Sequence, residues 1–444
     1  MRVIVIGAGE VGSSIAESLC TDHDVVVVDT DPHKVENVTY SMDVLAVEGD
    51  GATLEILKEA EVENADIVIA STDDDETNLV ACGTAKTASD AFTVARVTET
   101  KYLRTWENLP GALGVDFMVA SNVLSAEAIV RVVGLPSARD VDRFSDGNVE
   151  MANFDIKEGS AVAGLTVEGA DNYENLTFAG LRTEEEMKIP SGDTVLNVGD
   201  SVIVIGTPES VIGFSHEVAP EDSESELPDD IVIIGGTGIG YEAAKAFSQI
   251  GLKTRLIEED GEKARKFAED LPNVVVMEND PLDMEFLDRE NVDDAVVAAL
   301  DNDEENLMVS LLAKRAGAQR TISVVENSDL IEVFEEVGVD VPVNPRRVTA
   351  QEITRFTHSR QAENVVLVGQ DEAEVVEMRI TNESVLEGKT IGESSKELPD
   401  GYVVGAITRG DKFITPRGDT VIEKGDHVVV FVDAEVQNEV TDKI

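Results

Sequence analysis

A glycine-rich turn near residue 7 has the residue types and spacing of a phosphate-binding loop. The run VIVIGAGEVG, residues 3–12, places three glycines between an apolar stretch and a helix-forming stretch. In such a strand–turn–helix the first glycine permits the tight turn, the second lets a pyrophosphate approach the backbone, and the third lets the helix pack on the strand. The phosphates then lie at the positive end of the helix. The candidate residues are Gly7, Ala8, Gly9, Glu10, Val11 and Gly12.

The next apolar run, DVVVVD, ends in a carboxylate that indicates which nucleotide would fit. Asp29 closes this run and Thr30 follows it. A carboxylate at this place accepts hydrogen bonds from ribose hydroxyls and repels a 2′-phosphate. The sequence therefore favours NAD(H), with ATP or ADP as alternatives, over NADP.

Polar residues follow the later strands as well, where parallel sheets bind ligands. Asp50 and Gly51 lie in GDG, 49–51, Thr72 and Asp73 lie in STDDDETN, 71–78, and Arg96 ends the run TVARV. The acids from 73 to 76 are interpreted either as a metal cluster or, preferably, as a solvated loop and first helical turn that complement the helix dipole. Arg96 either binds a phosphate or forms a surface ion pair.

The elements that must position these residues alternate along the chain. Strands are predicted at 2–6, 24–29, 44–47, 66–70 and 92–97, with helices near 10–20, 32–39, 53–60 and 76–88. The apolar runs are continuous rather than alternating, as in a parallel sheet that is covered on both faces. This pattern predicts a doubly wound α/β domain of Rossmann type.

The sequence contains an internal repeat of about half its length. VIVIGAGEVG returns as IVIIGGTGIG at 231–240, and PSGDTVLNVGDSVIVIG at 190–206 returns as PRGDTVIEKGDHVVVFV at 416–432, with further matches between them in the same order. We infer a tandem duplication of a parallel-sheet domain followed by a small α+β domain. The predicted domains are 1–134 and 135–215, an acidic linker at 216–229, and then 230–358 and 359–444.

The second glycine turn departs from the first. Thr237, Pro281 and Val324 stand where the first repeat has Gly9, Gly51 and Arg96. A side chain at 237 intrudes on the approach of a pyrophosphate, so we expect a degenerate or differently selective second site. Its candidate residues are Gly235, Gly236, Thr237, Gly238, Ile239 and Glu258.

Composition excludes several classes of function. Asp and Glu number 90 against 35 Lys and Arg, giving a formal charge of -55. Nucleic-acid binding needs clustered cations and is not expected. Self-repulsion of this size is screened in molar salt, where the Debye length is about 3 Å. We expect a protein from a high-salt cytoplasm, with a strongly cationic partner as the alternative. The histidines are scattered without the spacing of metal ligands, so a zinc site is not expected. Cys20 and Cys82 are expected to be buried thiols.

The motifs GAGEVG, VVDTD, STDDDETNLVACGTAK and ARV, together with LGVDFMVASNVLSAEAIVRVVGLP, resemble those of the TrkA family. These are cytoplasmic regulatory subunits of Trk-type potassium uptake systems, built from tandem RCK domains. The resemblance, to haloarchaeal-like members, implies a non-enzymatic nucleotide sensor on the inner face of the membrane and a TrkH-like potassium-translocating partner. It also implies a homodimer or homotetramer. By motif match it assigns Gly7 to Val11, Asp29, Thr72, Asp73 and Arg96 to the first nucleotide.

Two other functions remain open at this point. An NAD-dependent oxidoreductase would need a substrate pocket with an acid or base, and no His or Lys motif recurs between the small domains. A regulatory subunit of a potassium efflux or antiport system would share the same architecture. The sparsely charged stretch 113–134 is expected to be buried between chains, with burial inside one chain as the alternative.

Overall fold

The computed structural model describes residues 1–21, 23–109, 111–135, 138–183, 186–218, 228, 230–290, 292, 294–358, 364–368, 373–382, 384–394, 396–410, 412–434, 436–441, 443 and 444. Within them the chain forms two compact units, each assembled from both repeats. One unit is Met1–Val130 with Asp229–Thr354, and the other is Arg131–Pro228 with Arg355–Ile444. The first unit holds two parallel-sheet domains, called here the N-domains. The second holds two antiparallel-sheet domains, called here the C-domains.

The first N-domain alternates strands and helices as the sequence predicts. Its elements are β1 Arg2–Ile6, α1 Glu10–Cys20, β2 Asp24–Asp29, α2 Pro32–Ser41, β3 Leu45–Glu48, α3 Leu54–Glu59, β4 Ile67–Ala70, α4 Asp75–Ala88, β5 Phe92–Val97, α5 Thr100–Asn108, β6 Phe117–Ala120 and α6 Ser121–Val133. All strand pairs are parallel, in the order β3-β2-β1-β4-β5-β6. The order reverses beside β1, and at such a point a doubly wound sheet opens a crevice for a ligand.

The first C-domain is a five-stranded antiparallel sheet with short helices, in the order β10-β9-β11-β8-β7. Its elements are β7 Ala138–Phe144, β8 Val149–Asp155, α7 Val167–Ala170, β9 Leu176–Arg182, β10 Met187–Lys188, β11 Ser201–Gly206 and α8 Pro208–Val218. Helix α8 therefore continues past 215, where the sequence analysis ends this domain. The rest of the predicted linker is described only at Pro228, so residues 219–227 and 229 lie outside the described residues.

The second repeat rebuilds both domains. Its N-domain comprises β12 Asp230–Ile234, α9 Gly238–Gln249, β13 Lys253–Glu258, α10 Gly261–Asp270, β14 Val274–Glu278, α11 Met284–Glu290, β15 Ala295–Ala298, α12 Asp303–Ala316, β16 Arg320–Val324, α13 Ile331–Glu336, β17 Val341–Val343 and α14 Pro345–His358. Its C-domain comprises β18 Asn364–Val368, β19 Ala373–Arg379, α15 Ile391–Ser394, β20 Tyr402–Arg409, β21 Lys412–Ile414, β22 His427–Asp433 and α16 Gln437–Thr441. The second N-domain sheet has the order of the first, β14-β13-β12-β15-β16-β17.

Burial explains why the N-domain strands are continuously apolar. In β1 and β2, residues 3–6 and 25–28 are at most 2% exposed, because helices cover both faces of the sheet. Each such Val or Ile contributes about 1.5–3 kcal/mol when fully buried. In the C-domains, one core joins residues of both repeats, including Phe144, Met151, Ile203, Val375 and Phe431. The two small domains thus share a hydrophobic core.

Two expectations from the sequence can be compared with the structure here. Cys82 is fully buried, whereas Cys20 is only partly buried, so the expectation that both thiols are buried is wrong for Cys20. In the stretch 113–134, Val115, Ile129 and Val133 are buried within one chain, while Leu113 is 49% exposed. Among the described residues, no helix has both the length and the apolar character needed to cross a membrane.

Candidate functional site

A cleft of about 670 Å³ opens at the carboxyl ends of the first N-domain strands. It lies where the strand order reverses, and residues from separate turns meet in it because parallel strands end at the same edge of the sheet. From the predicted set, the cleft is lined by Gly7, Gly9, Glu10, Val11, Asp29, Thr30, Asp50, Gly51, Thr72, Asp73 and Arg96. Ala8 and Gly12 are not among the lining residues; their contacts hold the glycine turn in place.

Gly12 and Gly7 hold the glycine turn close to the sheet. A Cβ atom on Gly12 would lie 1.8 Å from the Gly7 carbonyl oxygen, so only glycine fits where α1 begins. Gly7 itself has φ +103°, which side chains rarely adopt. The turn is thereby fixed in one shape, with its remaining N–H groups at the start of α1.

Asp29 is part of the scaffold as well as of the cleft wall. Its Oδ2 accepts a hydrogen bond from the Ala8 N–H at 2.6 Å, and its Oδ1 accepts one from the Asp31 N–H at 2.8 Å. Each carboxylate oxygen has a second lone pair, which a ribose hydroxyl could use. Asp29 therefore ties the glycine turn to the end of β2 and leaves acceptor capacity toward the cleft.

The first turn of α1 lacks a capping side chain. Its N-cap residue is Gly9, which makes no side-chain hydrogen bond, so the first N–H groups of the helix are left for another partner. A Cβ atom on Gly9 would have no described atom within 4 Å, because this position faces the open cleft. Backbone donors at a helix N-terminus beside open space suit a phosphate.

The loop after β4 is held by Asn78, which is fully buried. The Asn78 Oδ1 accepts hydrogen bonds from the Thr72 N–H at 2.9 Å and the Thr72 hydroxyl at 2.7 Å. Its Nδ2 donates to the carbonyl oxygens of Thr72 and Arg96, both at 2.9 Å. One amide side chain thus binds the loop to the end of β5 and fixes Thr72 at the edge of the cleft.

The neighbouring acids are occupied by backbone donors. Asp74 caps α4 by accepting from the Thr77 N–H at 2.7 Å, and its hydrogen bonds to Thr77 lower the pKa of Asp74. Asp75 accepts from the N–H groups of Thr98 and Glu99, both at 2.9 Å. These contacts favour the interpretation as loop and helix-cap residues over a metal cluster. In the described part of the chain, no group of three or more His, Cys, Asp or Glu side chains is placed to hold a metal.

Arg96 is 8% exposed and reaches the cleft from the end of β5. Its Nη1 lies 3.1 Å from Asp73 Oδ1, and its Nε donates to the Ser121 hydroxyl at 3.1 Å. Because Asp73 is 81% exposed at its side chain, this ion pair is open to solvent on one side. A buried arginine with an exposed acidic partner can exchange that partner for a phosphate.

Eight lining residues are not among those predicted from the sequence: Ile6, Val28, Lys34, Gly49, Ser71, Asp74, Thr77 and Arg346. Most are neighbours of predicted residues, and their place follows from the same strand ends. Arg346 is different, because it belongs to α14 of the second repeat. The repeat aligns VASNVLS, 119–125, with VNPRRVT, 343–349, and so matches Arg346 to Asn122. That match identifies the position, but not the neighbouring domain that it faces.

The second glycine turn is closed by Thr237 and by Asn122 of the first repeat. The Thr237 hydroxyl accepts from the Gly240 N–H at 3.2 Å and donates to the Ala299 carbonyl oxygen at 2.8 Å, so it caps α9. Asn122 packs on the turn, since a Cβ atom on Gly238 would lie 2.1 Å from Asn122 Nδ2. The N–H donor that a phosphate would use in the first repeat already has a partner here.

Glu258 replaces Asp29, and the turn accommodates its extra length. The Glu258 Oε2 accepts from the Gly236 N–H at 3.0 Å, as Asp29 does from Ala8. A Cβ atom on Gly236 would lie 2.3 Å from this oxygen and 2.5 Å from the Phe267 ring. An alanine at 236 would therefore require the Glu258 carboxylate and the Phe267 ring to move. Ile239 is 7% exposed, and Gly235 has φ +111°, as the turn requires.

Family models match most of the chain. The TrkA-N domain model matches residues 3–121 and 231–345, and the TrkA-C domain model matches residues 151–218 and 375–444. Each model matches twice, in the order that the duplication predicts. This arrangement confirms the resemblance and the fold class inferred from the sequence.

Relatives and solved structures agree. A Methanosarcina mazei protein named Trk system potassium uptake protein TrkA homolog 1 is 33% identical, with 99% of each chain covered. An Archaeoglobus fulgidus TrkA homolog is 34% identical, with 97% of each covered. The structures described as "GsuK channel bound to NAD" and "Crystal Structure of the GsuK RCK domain" both have TM-score 0.60 at 18% identity. They cover 100% of this chain, and 78% and 94% of theirs, and so show a shared fold. The chain belongs to the TrkA family.

Proposed function

We propose that this chain is a nucleotide-sensing regulatory subunit of a potassium uptake system. Its family membership and the names of its relatives support a role in potassium uptake. The observation that supports the sensing role is the first cleft, which has a volume of about 670 Å³. An uncapped helix N-terminus, the Asp29 carboxylate and Arg96 all line it. A nucleotide needs these three features for its phosphates and ribose.

The proposed ligand is NAD(H), with ADP or ATP as alternatives. The phosphates bind the turn from Gly7 to Gly12, the ribose binds Asp29 and Thr30, and Asp50, Gly51, Thr72, Asp73 and Arg96 complete the site. The second turn, Gly235 to Ile239 with Glu258, binds more weakly or not at all, because Thr237 and Asn122 occupy it. The structure of a GsuK channel with NAD supports a nucleotide ligand in this fold.

The action is regulatory rather than catalytic. This proposal is supported by the names of the relatives, which describe potassium uptake proteins. A nucleotide instead shifts the protein between conformations to the extent that it binds one better than the other. The output is carried to a TrkH-like membrane subunit on the cytoplasmic face by a homodimer or homotetramer. Its domains are 1–134, 135–218 with helix α8 included, 230–358 and 359–444.

Binding is tested by calorimetry on the full chain in molar KCl. Gly9→Val places two methyl groups where phosphates bind and meets no described protein atom, so binding of NADH, NAD, ATP and ADP should be lost while the melting temperature stays within a few degrees. Gly418→Val is the matched control, because its Cβ also enters open space but lies in a C-domain turn. Unchanged affinity in the Gly9 variant would refute this site.

Regulation is tested after reconstitution with the membrane subunit in vesicles. Exchanging one nucleotide for another should change potassium flux, and Gly9→Val should abolish that response while Gly418→Val keeps it. A flux that ignores nucleotide in the wild-type complex would contradict the proposed function. Turnover of NADH with a small organic substrate would instead favour the oxidoreductase.

A further inference from the structure

The first cleft contains an arginine that the second N-domain supplies. Arg346, the second residue of α14, lines the cleft with Arg96 and is 35% exposed at its side chain. Its Nη1 donates to Glu10 Oε2 at 2.5 Å, and its Nε lies 3.2 Å from Glu326 Oε2. Among the described residues, no hydrogen bond from its Nη2 is found, so the guanidinium has donors to spare.

The surroundings hold this side chain charged and in place. Burial by itself would lower the pKa of Arg346, but the hydrogen bond to Glu10 and the charges of Glu10, Glu326 and Asp73 raise it. Burial raises the pKa of Glu326, and Arg346 opposes that shift. The arginine is therefore a fixed positive charge in a chain whose formal charge is -55.

Glu10 is an unfavourable neighbour for a phosphate. It occupies the first turn of α1, next to the N-cap Gly9, where the helix presents its N–H groups to the cleft. A phosphate bound there would meet this carboxylate at close range, and like charges repel unless a cation offsets them. Arg346 already contacts Glu10 and lines the same cleft.

The two N-domains contact each other's glycine turns through different types of residue. Asn122 occupies the position in α6 that matches Arg346, and it packs against Gly238 of the second turn. Each N-domain thus places one residue on the other's glycine turn. At the first turn the contact is between the cation Arg346 and the acid Glu10. At the second turn the neutral amide of Asn122 lies against Gly238.

We propose that Arg346 is a phosphate-binding residue of the first nucleotide site, supplied by the second N-domain and held ready by Glu10. The inference rests on the proposed function, since it concerns the same cleft. When a nucleotide binds, the Arg346 guanidinium contacts its second phosphate, which AMP lacks, beside the glycine turn and offsets the Glu10 carboxylate. Occupancy of the first N-domain is then coupled to its contact with the second, because the ligand bonds to both.

The test measures affinities of the full chain for AMP, ADP, ATP and NADH in Arg346→Gln. Loss of a charge-assisted phosphate contact should weaken ADP, ATP and NADH by about tenfold or more, with AMP affected least. Arg346→Lys should fall between, because it keeps the charge and loses the planar fork. Arg315→Gln is the matched control, since it removes the same charge from an exposed position of α12.

A double-mutant cycle with Glu10→Gln separates a phosphate ligand from a structural ion pair. With Arg346 present, Glu10→Gln should change the affinity for ADP little, because the arginine already offsets the carboxylate. In the Arg346→Gln background the same change should tighten binding of ADP, because the repulsion is then no longer offset. Equal losses for AMP and ADP, or unchanged affinities in Arg346→Gln, would overturn the inference while wild-type binding upholds the proposed function. Wild-type chain that binds none of the four nucleotides would overturn both.

Discussion

The two glycine turns of this chain share a backbone path and differ in what closes them. In the first, Gly9 leaves the start of α1 uncapped and faces an open cleft. In the second, the Thr237 hydroxyl caps α9, and Asn122 lies against Gly238. The comparison teaches that a helix N-terminus is available to a phosphate only when no side chain of the protein satisfies its N–H groups.

Both glycine turns depend on the fold, so lowering the salt concentration should have a larger effect than any single substitution. With a formal charge of -55, the chain should lose its cooperative fold on dialysis from molar KCl into dilute buffer. Circular dichroism follows the loss, with a chelator present to remove divalent ions. Burial raises the pKa of Cys82 to about 12, so its alkylation should begin only when the first N-domain opens. A folded chain with protected Cys82 at low salt would refute the high-salt interpretation.

The next test changes a buried asparagine that both N-domains have after their fourth strand. Asn78 and Asn306 are fully buried and bind equivalent loops to β5 and β16. Replacing either by alanine should lower the free energy of unfolding by about 3 kcal/mol, because buried backbone groups lose their partners.

Only one of these variants should change nucleotide affinity. Asn78→Ala releases Thr72 at the cleft edge and should weaken binding, whereas Asn306→Ala should leave it unchanged. Denaturant unfolding and calorimetry measure the two effects. Equal losses of affinity in both variants would show that the second turn also binds.

A smaller effect is expected from exchanging the carboxylates. Asp29→Glu should weaken nucleotide binding by about tenfold, because the longer side chain meets the Ala8 methyl group, as a Cβ atom on Gly236 would meet Glu258. The double change Ala8→Gly with Asp29→Glu reproduces the second repeat's pair and should recover most of the affinity. Failure of the double change to recover any would mean that carboxylate length acts on the ligand directly.

Removing the cap of the second turn should have a small effect, whereas adding one to the first turn should have a large one. Thr237→Ala removes the hydroxyl that accepts from Gly240 and should lower stability by about 1 kcal/mol without changing nucleotide affinity. The matched change in the first repeat, Gly9→Thr, should install a cap and abolish binding. Thermal unfolding with calorimetry on both variants checks this, and a gain of nucleotide binding in Thr237→Ala would show that the cap alone closes the second turn.

Much of this fold could be predicted from local patterns. Continuous apolar runs identified β1, β2, β4 and β5 with bounds close to those observed, because buried parallel strands tolerate few polar residues. The glycines and the residues at strand ends could be assigned to one site for the same reason. Whether those residues bind a nucleotide stays a prediction.

Other features of the site could not be predicted from the sequence, because they depend on contacts that only the folded structure shows. Arg346 reaches the first cleft from the other repeat, and a periodicity in sequence carries no information about which domain faces it. The hydrogen bonds of Asp29 to the glycine turn, and the fit of Glu258 to Gly236, depend on side-chain length across a turn. Cys20 ends its helix near the surface, where an apolar pattern alone overstates burial.

The most direct test of the account is the stoichiometry of nucleotide binding to the full chain in molar KCl. Calorimetric titration with NADH, and separately with ADP, should give one tight site per chain, since Thr237 caps the second turn and Asn122 lies against it, whereas Gly9 leaves the first turn uncapped. Gly9→Val should remove that site, and Thr237→Val should leave it intact. Two sites of equal affinity per chain, or binding that survives Gly9→Val, would contradict the account.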